Sequence, residues 1–289
     1  MYQYITISNL ENMKLNANLL ERLEYIKKQN NNFFASTENV IANLKLLSKF
    51  LPYDVANQWL LFKQNKEANK FLTFNQWKKR GVQIKKGEKA AYIIGYKEKT
   101  FIVKDNENQP LEWENADDET KDQIRNGIGS TFKKKIVSLI PVFGDNQLTE
   151  IKRKTHKQYS YDSLEKTLIK YLEKLKFNVQ ITKSDTNNEK INYETKEIFI
   201  NYYDNLLSLS LLKILIRIIL KYDGYKKVLE NTTLEENMIS FLILESIKLN
   251  NFEYDFHFVQ SILKKLSDSE KELFLKNVVL IAKQIKEKL

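Results

Sequence analysis

Turn-forming residues are scarce in this chain, and that scarcity limits what it can fold into more than any other feature. Seven glycines and three prolines are spread over 289 residues. A loop-rich all-β fold needs a turn every few residues, usually built on Gly, Pro or Asn-Gly. Long regular elements are expected instead. A hydrophobic content of 42% with 12% aromatics is enough to build real cores, and the length suits one large domain or two ordinary ones.

Periodicity places those elements. Residues 12–29 repeat apolar side chains at helical spacing through Leu15, Leu19, Leu20, Leu23 and Ile26. Further helices are predicted at 37–50, closed by Leu51-Pro52, at 54–65, and at 73–80, ended by Gly81. A strand, a lysine pair and a Gly87 turn are expected over 82–89. Two paired strands follow at 90–96 and 100–104, and a third at 135–143. Between them, residues 105–123 hold eight acids against one lysine and read as an exposed hairpin insertion. The polar, basic run 152–160 is the expected linker between domains 1–151 and 160–289. The second half opens on helix 162–176 with Asp162 as its cap. Short strands follow at 177–182, 190–194 and 196–201, then helices near 204–222, 232–249, 255–266 and 268–288. The predicted class is α+β: an N-terminal helix-plus-antiparallel-sheet domain followed by a mainly helical one.

Charge is distributed unevenly. The formal net charge is +10. Residues 1–158 contribute 27 basic against 18 acidic residues, and residues 159–289 contribute 20 against 19, so nearly all the excess lies in the first half. Lysine is abundant throughout, as in chains from AT-rich genomes, but a coding bias alone would spread it evenly. The excess concentrates around Phe74, Trp77, Lys78, Lys79, Arg80, Lys85, Lys86 and Lys89. Cations interleaved with rings suit single-stranded nucleic acid, the cations tracking phosphates and the rings stacking on unpaired bases. The alternative is a solvated lysine face beside a buried Trp77. Asn57 and Gln64 either contact bases or bind local backbone.

Several chemistries are excluded. The chain has no cysteine, which removes disulfides, thiolate catalysis and cysteine-ligated zinc and fits a reducing cytoplasm. Its two histidines, His156 and His257, leave no multi-histidine metal site. His156 falls in the linker, and His257 sits among aromatics, so neither is expected to act as a base. No Gly-rich phosphate loop and no Gly-x-Ser-x-Gly elbow occur. The beginning of the chain shows no signal peptide, and the apolar run 206–220 is interrupted by Lys213 and Arg217, so no membrane span is expected.

The order of motifs in the first half resembles the N-terminal domain of ArdC-type antirestriction proteins. The resemblance rests on Asn57 with Trp59-Leu60-Leu61-Phe62, on Gln64, Glu67-Ala68 and Trp77, and on Ile84-Lys85-Lys86-Gly87-Glu88-Lys89. A looser match follows at Val142-Phe143-Gly144-Asp145-Asn146-Gln147-Leu148. It implies binding of single-stranded DNA without strong sequence preference.

In the same family the second half resembles a zinc metallopeptidase, in which a helix carries His-Glu-x-x-His and a following helix supplies a Glu. Two His one turn apart face the metal, and the intervening Glu takes a proton from its water. By spacing, these three positions read Ile216, Arg217 and Leu220 here, with Glu235 or Glu236 at the place of the third ligand. None of the three positions in the motif can serve, so no zinc, no cofactor and no hydrolysis by this route are expected. The alternative is an unrelated helical bundle. A buried Arg217 would need a carboxylate, and Glu235 or Glu236 is the natural partner.

The expected function is a non-enzymatic, single-stranded-DNA-binding antirestriction protein of a mobile element or phage, with nucleic acid as partner. The competing expectation is an anti-CRISPR-type inhibitor that binds a host nuclease complex directly.

Overall fold

The computed structural model describes residues 17–103, 110–149, 159–203, 206–222, 225, 228–229, 232–254, 256, 259–263 and 265–289. Predictions that fall on His156, His257 and residues 152–158 of the linker lie outside them. The fold is α+β.

Three helices open the described chain. Helix α1 (Ala17–Phe33) buries Leu19, Leu23, Ile26 and Phe33 on one stripe. Helix α2 (Thr37–Lys49) starts where the Ser36 hydroxyl accepts the Asn39 N–H at 3.1 Å. Helix α3 (Val55–Gln64) starts in the same way at Asp54, whose carboxylate accepts the Asn57 N–H at 2.8 Å. Strand β1 (Phe71–Leu72) leads into α4 (Phe74–Lys79). Thr73 and Gln76 close a reciprocal capping box at its start.

The sheet differs from expectation in an informative way. The strand predicted over 82–89 reduces to an isolated bridge between Ile84 and Leu148. The two strands predicted at 90–96 and 100–104 are one strand, β2 (Ala91–Val103). Lys97-Glu98-Lys99 contains no turn former, so the alternation runs straight through. The partner of β2 along its whole length is β4 (Ser130–Gly144), in register from Ala91 opposite Val142 to Val103 opposite Ser130. Gly95 permits this pairing: a Cβ there would lie 2.8 Å from Ile140 Cγ1.

The acid-rich segment is not a free hairpin where it is described. Strand β3 (Leu111–Glu112) pairs with Ile102 and Phe101 of β2, and helix α5 (Asp118–Arg125) follows, capped by Asp117. Ala116 and Thr120 are buried. The Glu112 carboxylate accepts a short bond from Lys99, and Glu114 lies 3.6 Å from Lys97. The first sheet therefore runs β1-β4-β2-β3.

In the second half, α6 (Tyr161–Lys174) is capped by Ser160 and not by Asp162, because the Ser160 hydroxyl accepts the Ser163 N–H. Strands β5 (Asn178–Lys183), β6 (Asn188–Asn192) and β7 (Glu197–Tyr202) form a sheet ordered β5-β7-β6, with β5 and β7 parallel. Helices α7 (Leu207–Tyr222), α8 (Thr233–Ser246), α9 (Val259–Leu263) and α10 (Asp268–Lys286) complete the chain. α7 and α8 are buried over most of their circumference, as their nearly continuous apolar sequence requires.

The two halves share a core. One cluster of buried side chains runs from Leu23, Leu44 and Trp59 through Met238 and Leu242 to Val278 and Ile285. Phe34 and Phe274 meet edge to face with ring centroids 6.2 Å apart. A second, small cluster of Phe50, Leu61, Ala68, Phe71, Ala91 and Val142 fixes β1 and the start of β2.

Candidate nucleic-acid interface

The basic motif is carried on two segments, and both are tied to the end of β4. The first is α4. Its Trp77 is 4% exposed, and the indole N–H donates to the Phe143 carbonyl at 2.9 Å. Trp77 thus anchors the helix and presents no face to a ligand. Lys78 and Lys79 form the last turn of α4, Arg80 caps it, and all three are exposed. Cations there also complement the negative end of the helix dipole. Gly81, at φ +72°, lets the chain leave the helix.

The second segment is the loop 82–90, held by Gln147. This side chain is 7% exposed. Its amide nitrogen donates to the Lys89 carbonyl at 2.8 Å and to Glu88 at 3.0 Å, while its oxygen accepts the Gly144 N–H at 2.8 Å. The Lys85 N–H donates to the Gln147 carbonyl at 2.9 Å. Gly87, at φ +90°, makes the turn between the lysines. Lys85, Lys86 and Lys89 are exposed, and Lys85 Nζ reaches the Asn146 carbonyl at 3.3 Å. Among the described residues, none of the six cations forms an ion pair. The field they create is therefore not neutralised locally.

Two further residues belong here: Lys70, which sequence reasoning did not select, and Phe74, which it placed among the cations. Lys70 stands close enough to Arg80 to be affected by it: burial, and then repulsion from Arg80, push its pKa below the usual lysine range. The Asp145 N–H donates to the Lys70 carbonyl, so β1 and the end of β4 hold it in place. Phe74, at the start of α4, is 56% exposed. It is the ring this helix offers for stacking. Phe74 and Trp77 lie one helical turn apart, and only packing on β4 decides which one is covered.

Asn57 and Gln64 leave the interface. Asn57 is buried. Its amide donates to the Ile94 carbonyl and accepts the Ile94 N–H, both at 2.8 Å. Gln64 does the same to Tyr92, at 2.8 Å and 2.9 Å. Two amides two helical turns apart on α3 thus satisfy alternate residues of β2. The helix stands in for a neighbouring strand along that stretch. On the opposite edge Pro141 sits across from Tyr92, a position where its missing N–H leaves no gap because Tyr92 bonds to Gln64.

The three positions of the zinc motif do not fit a metal. Ile216 is fully buried and Leu220 nearly so. Arg217 Nε donates to Glu236 at 2.9 Å and its Nη1 to Glu189 at 2.7 Å. Glu236 was an expected partner; Glu189 was not. It reaches Arg217 because its place on β6, opposite buried Ile200, turns it to the inner face of the sheet. The other oxygen of Glu236 accepts the Thr232 hydroxyl at 2.8 Å. Nearby Lys213 has its pKa lowered by burial. Among the described residues, no group of three or more His, Cys, Asp or Glu side chains could hold a metal ion.

Residues 12–134 match the family model for the N-terminal domain of anti-restriction factor ArdC. The chain is also similar to the crystal structure of the antirestriction ArdC protein from plasmid R388 in its metal-free form. It is 15% identical to it, with a TM-score of 0.44, over 81% of this chain and 82% of that one. The Mn(II)-bound structure of the R388 protein is 14% identical with a TM-score of 0.42, over the same shares. No curated protein matches the chain.

Proposed function

We propose that this chain, whose residues 12–134 match the model for the N-terminal domain of anti-restriction factor ArdC, is an ArdC-type antirestriction protein that binds single-stranded DNA and shields it from a host defence system without catalysing a reaction. One observation carries this reading. Six exposed cations without acidic partners sit on two segments pinned to the same end of β4, with exposed Phe74 on the first of them. Phosphate contacts supply the affinity and the ring a sequence-tolerant stacking surface.

Binding without catalysis is supported by the residues at the motif positions. Apolar side chains take the two histidine places, and an ion-paired guanidinium takes that of the general base. The rival reading is direct inhibition of a nuclease complex; its acidic-mimic form gains no support, because Glu112 and Glu114 of the acid-rich segment face Lys99 and Lys97 of the same chain. A cytoplasmic place and a mobile-element or phage origin belong to the same proposal. No described helix is long and apolar enough to cross a membrane.

The test is a gel-shift titration of single-stranded and duplex oligonucleotides across a salt series. The variant with Lys78, Lys79, Arg80, Lys85, Lys86 and Lys89 all changed to Ala should bind far more weakly. Its plot of log affinity against log salt should flatten by up to about 4, at roughly 0.7 per single-strand phosphate contact. Binding equal to that of the parent chain would refute the assignment.

A further inference from the structure

Strand β4 has two edges, and the described chain pairs only one of them in full. β2 runs along one edge for its whole length, whereas β1 covers the other only at Phe143 and Gly144. The groups that the open edge presents follow from α3. The N–H and C=O of Tyr92 and of Ile94 all bond to side chains of α3, so they point away from β4. Pro141 and Leu139, their partners across the ladder, therefore sit in its wide pairs and point their own groups the opposite way. The alternation continues along the strand. The N–H and C=O of Leu139, Val137, Lys135, Lys133 and Thr131 face outward, as does the Pro141 carbonyl. Among the described residues, none of these groups has a hydrogen-bond partner.

An open edge is a template for one more strand, and the side chains along it select which strand. Residues 136–140 read Ile-Val-Ser-Leu-Ile and are half-buried. Next to them stand Lys133, Lys134 and Lys135, all exposed. Lys134 and Lys135 form no ion pair among the described residues. Lys133 meets Glu98 at 3.1 Å, but both groups are largely in solvent, so that pair is weak and readily exchanged. Glu112 of β3 lies on the far side of β2 and is taken by Lys99.

We propose that this edge accepts an extended segment of a partner protein, antiparallel to β4, apolar beside residues 136–140 and acidic beside Lys133, Lys134 and Lys135. The direction continues the antiparallel ladder that β2 and β4 already form. Lysines guard an exposed edge against neutral and basic strands, and an acidic strand is the one they admit. A second copy of the chain would bring three more lysines to the same place. A nucleic-acid strand would meet the lysines but has no use for alternating N–H and C=O groups beside an apolar stretch. The inference rests on this edge alone and stands whether or not the basic motif, tied to the Phe143 end of β4, binds DNA.

The probe is a fluorescein-labelled peptide, Val-Thr-Val-Thr-Val-Glu-Glu-Glu, titrated into the full chain and followed by fluorescence anisotropy. It should saturate one site and weaken as salt rises. The same peptide ending in Lys-Lys-Lys should bind at least about tenfold more weakly, because attractive charge pairs become repulsive ones. Two N-methylated forms test strand pairing itself. Methyl groups on the alternate amides that face β4 should abolish binding, whereas methyl groups on the other set should change it by no more than about twofold. Lys135→Pro removes one outward N–H, and Pro141 shows that the ladder with β2 accepts proline at such a position. It should weaken binding about three- to tenfold beyond the effect of Lys135→Ala, as the loss of one hydrogen bond requires, with its thermal midpoint little changed. No saturation overturns the proposal, as do equal effects of the two N-methylated forms. A dimer of the free chain that Lys135→Pro dissociates also overturns it, because a second copy would then fill the edge.

Discussion

Single side chains in this structure are assigned by hydrogen-bond geometry as much as by residue type. Asn57 and Gln64 look in sequence like polar groups available to a ligand, yet each closes two bonds with β2. Replacing Asn57 with Ala should cost about 2–4 kcal/mol, because the N–H and C=O of buried Ile94 both lose their partner. Gln64→Ala should cost less, since water can reach the half-buried Gln64 site. Chemical denaturation measures both, and a cost for Asn57→Ala no greater than for Gln64→Ala would defeat the strand-substitute reading. The same lesson applies to Trp77 and Phe74. Their spacing shows that they share a helix, but which ring is exposed depends on a strand end more than sixty residues later, at Phe143.

At the level of elements, most helices were legible. Their apolar spacing and caps are local, as at Ser36, Asp54 and the Ser267 capping box of α10. The β2–β4 pairing was not, because the partner lies beyond an acid-rich segment and alternation alone does not identify a distant mate. Glu189 was missed for a related reason: the inward turn of its side chain follows from register with β7, which the sequence does not display. It matters because Arg217 joins β6, α7 and α8 through Glu189 and Glu236. Arg217→Met should therefore destabilise the chain by about 2–4 kcal/mol, chiefly by leaving the 5%-exposed Glu236 side chain without its cation. A second variant carrying Glu236→Gln as well should recover part of that loss. Denaturation midpoints decide the matter, and a neutral Arg217→Met would show that the guanidinium holds nothing together.

For the whole molecule, the expected division at 151–160 separates charge but not packing. The basic excess lies before it, whereas the buried cluster crosses it, with Phe34 on Phe274 and the α2 stripe of Val40, Leu44 and Leu47 in the same cluster as Met238 and Leu242 of α8. Calorimetry should accordingly record one unfolding transition whose calorimetric and van't Hoff enthalpies agree. Two resolved peaks would restore a pair of independent domains. The shared interior also makes the first half depend on the second. Excising it would strip one wall from the chamber that α1, α2 and α3 enclose, leaving greasy surface bare to water. Selection on the cation-bearing portion is then enough to preserve the second half as masonry, whatever else that half does.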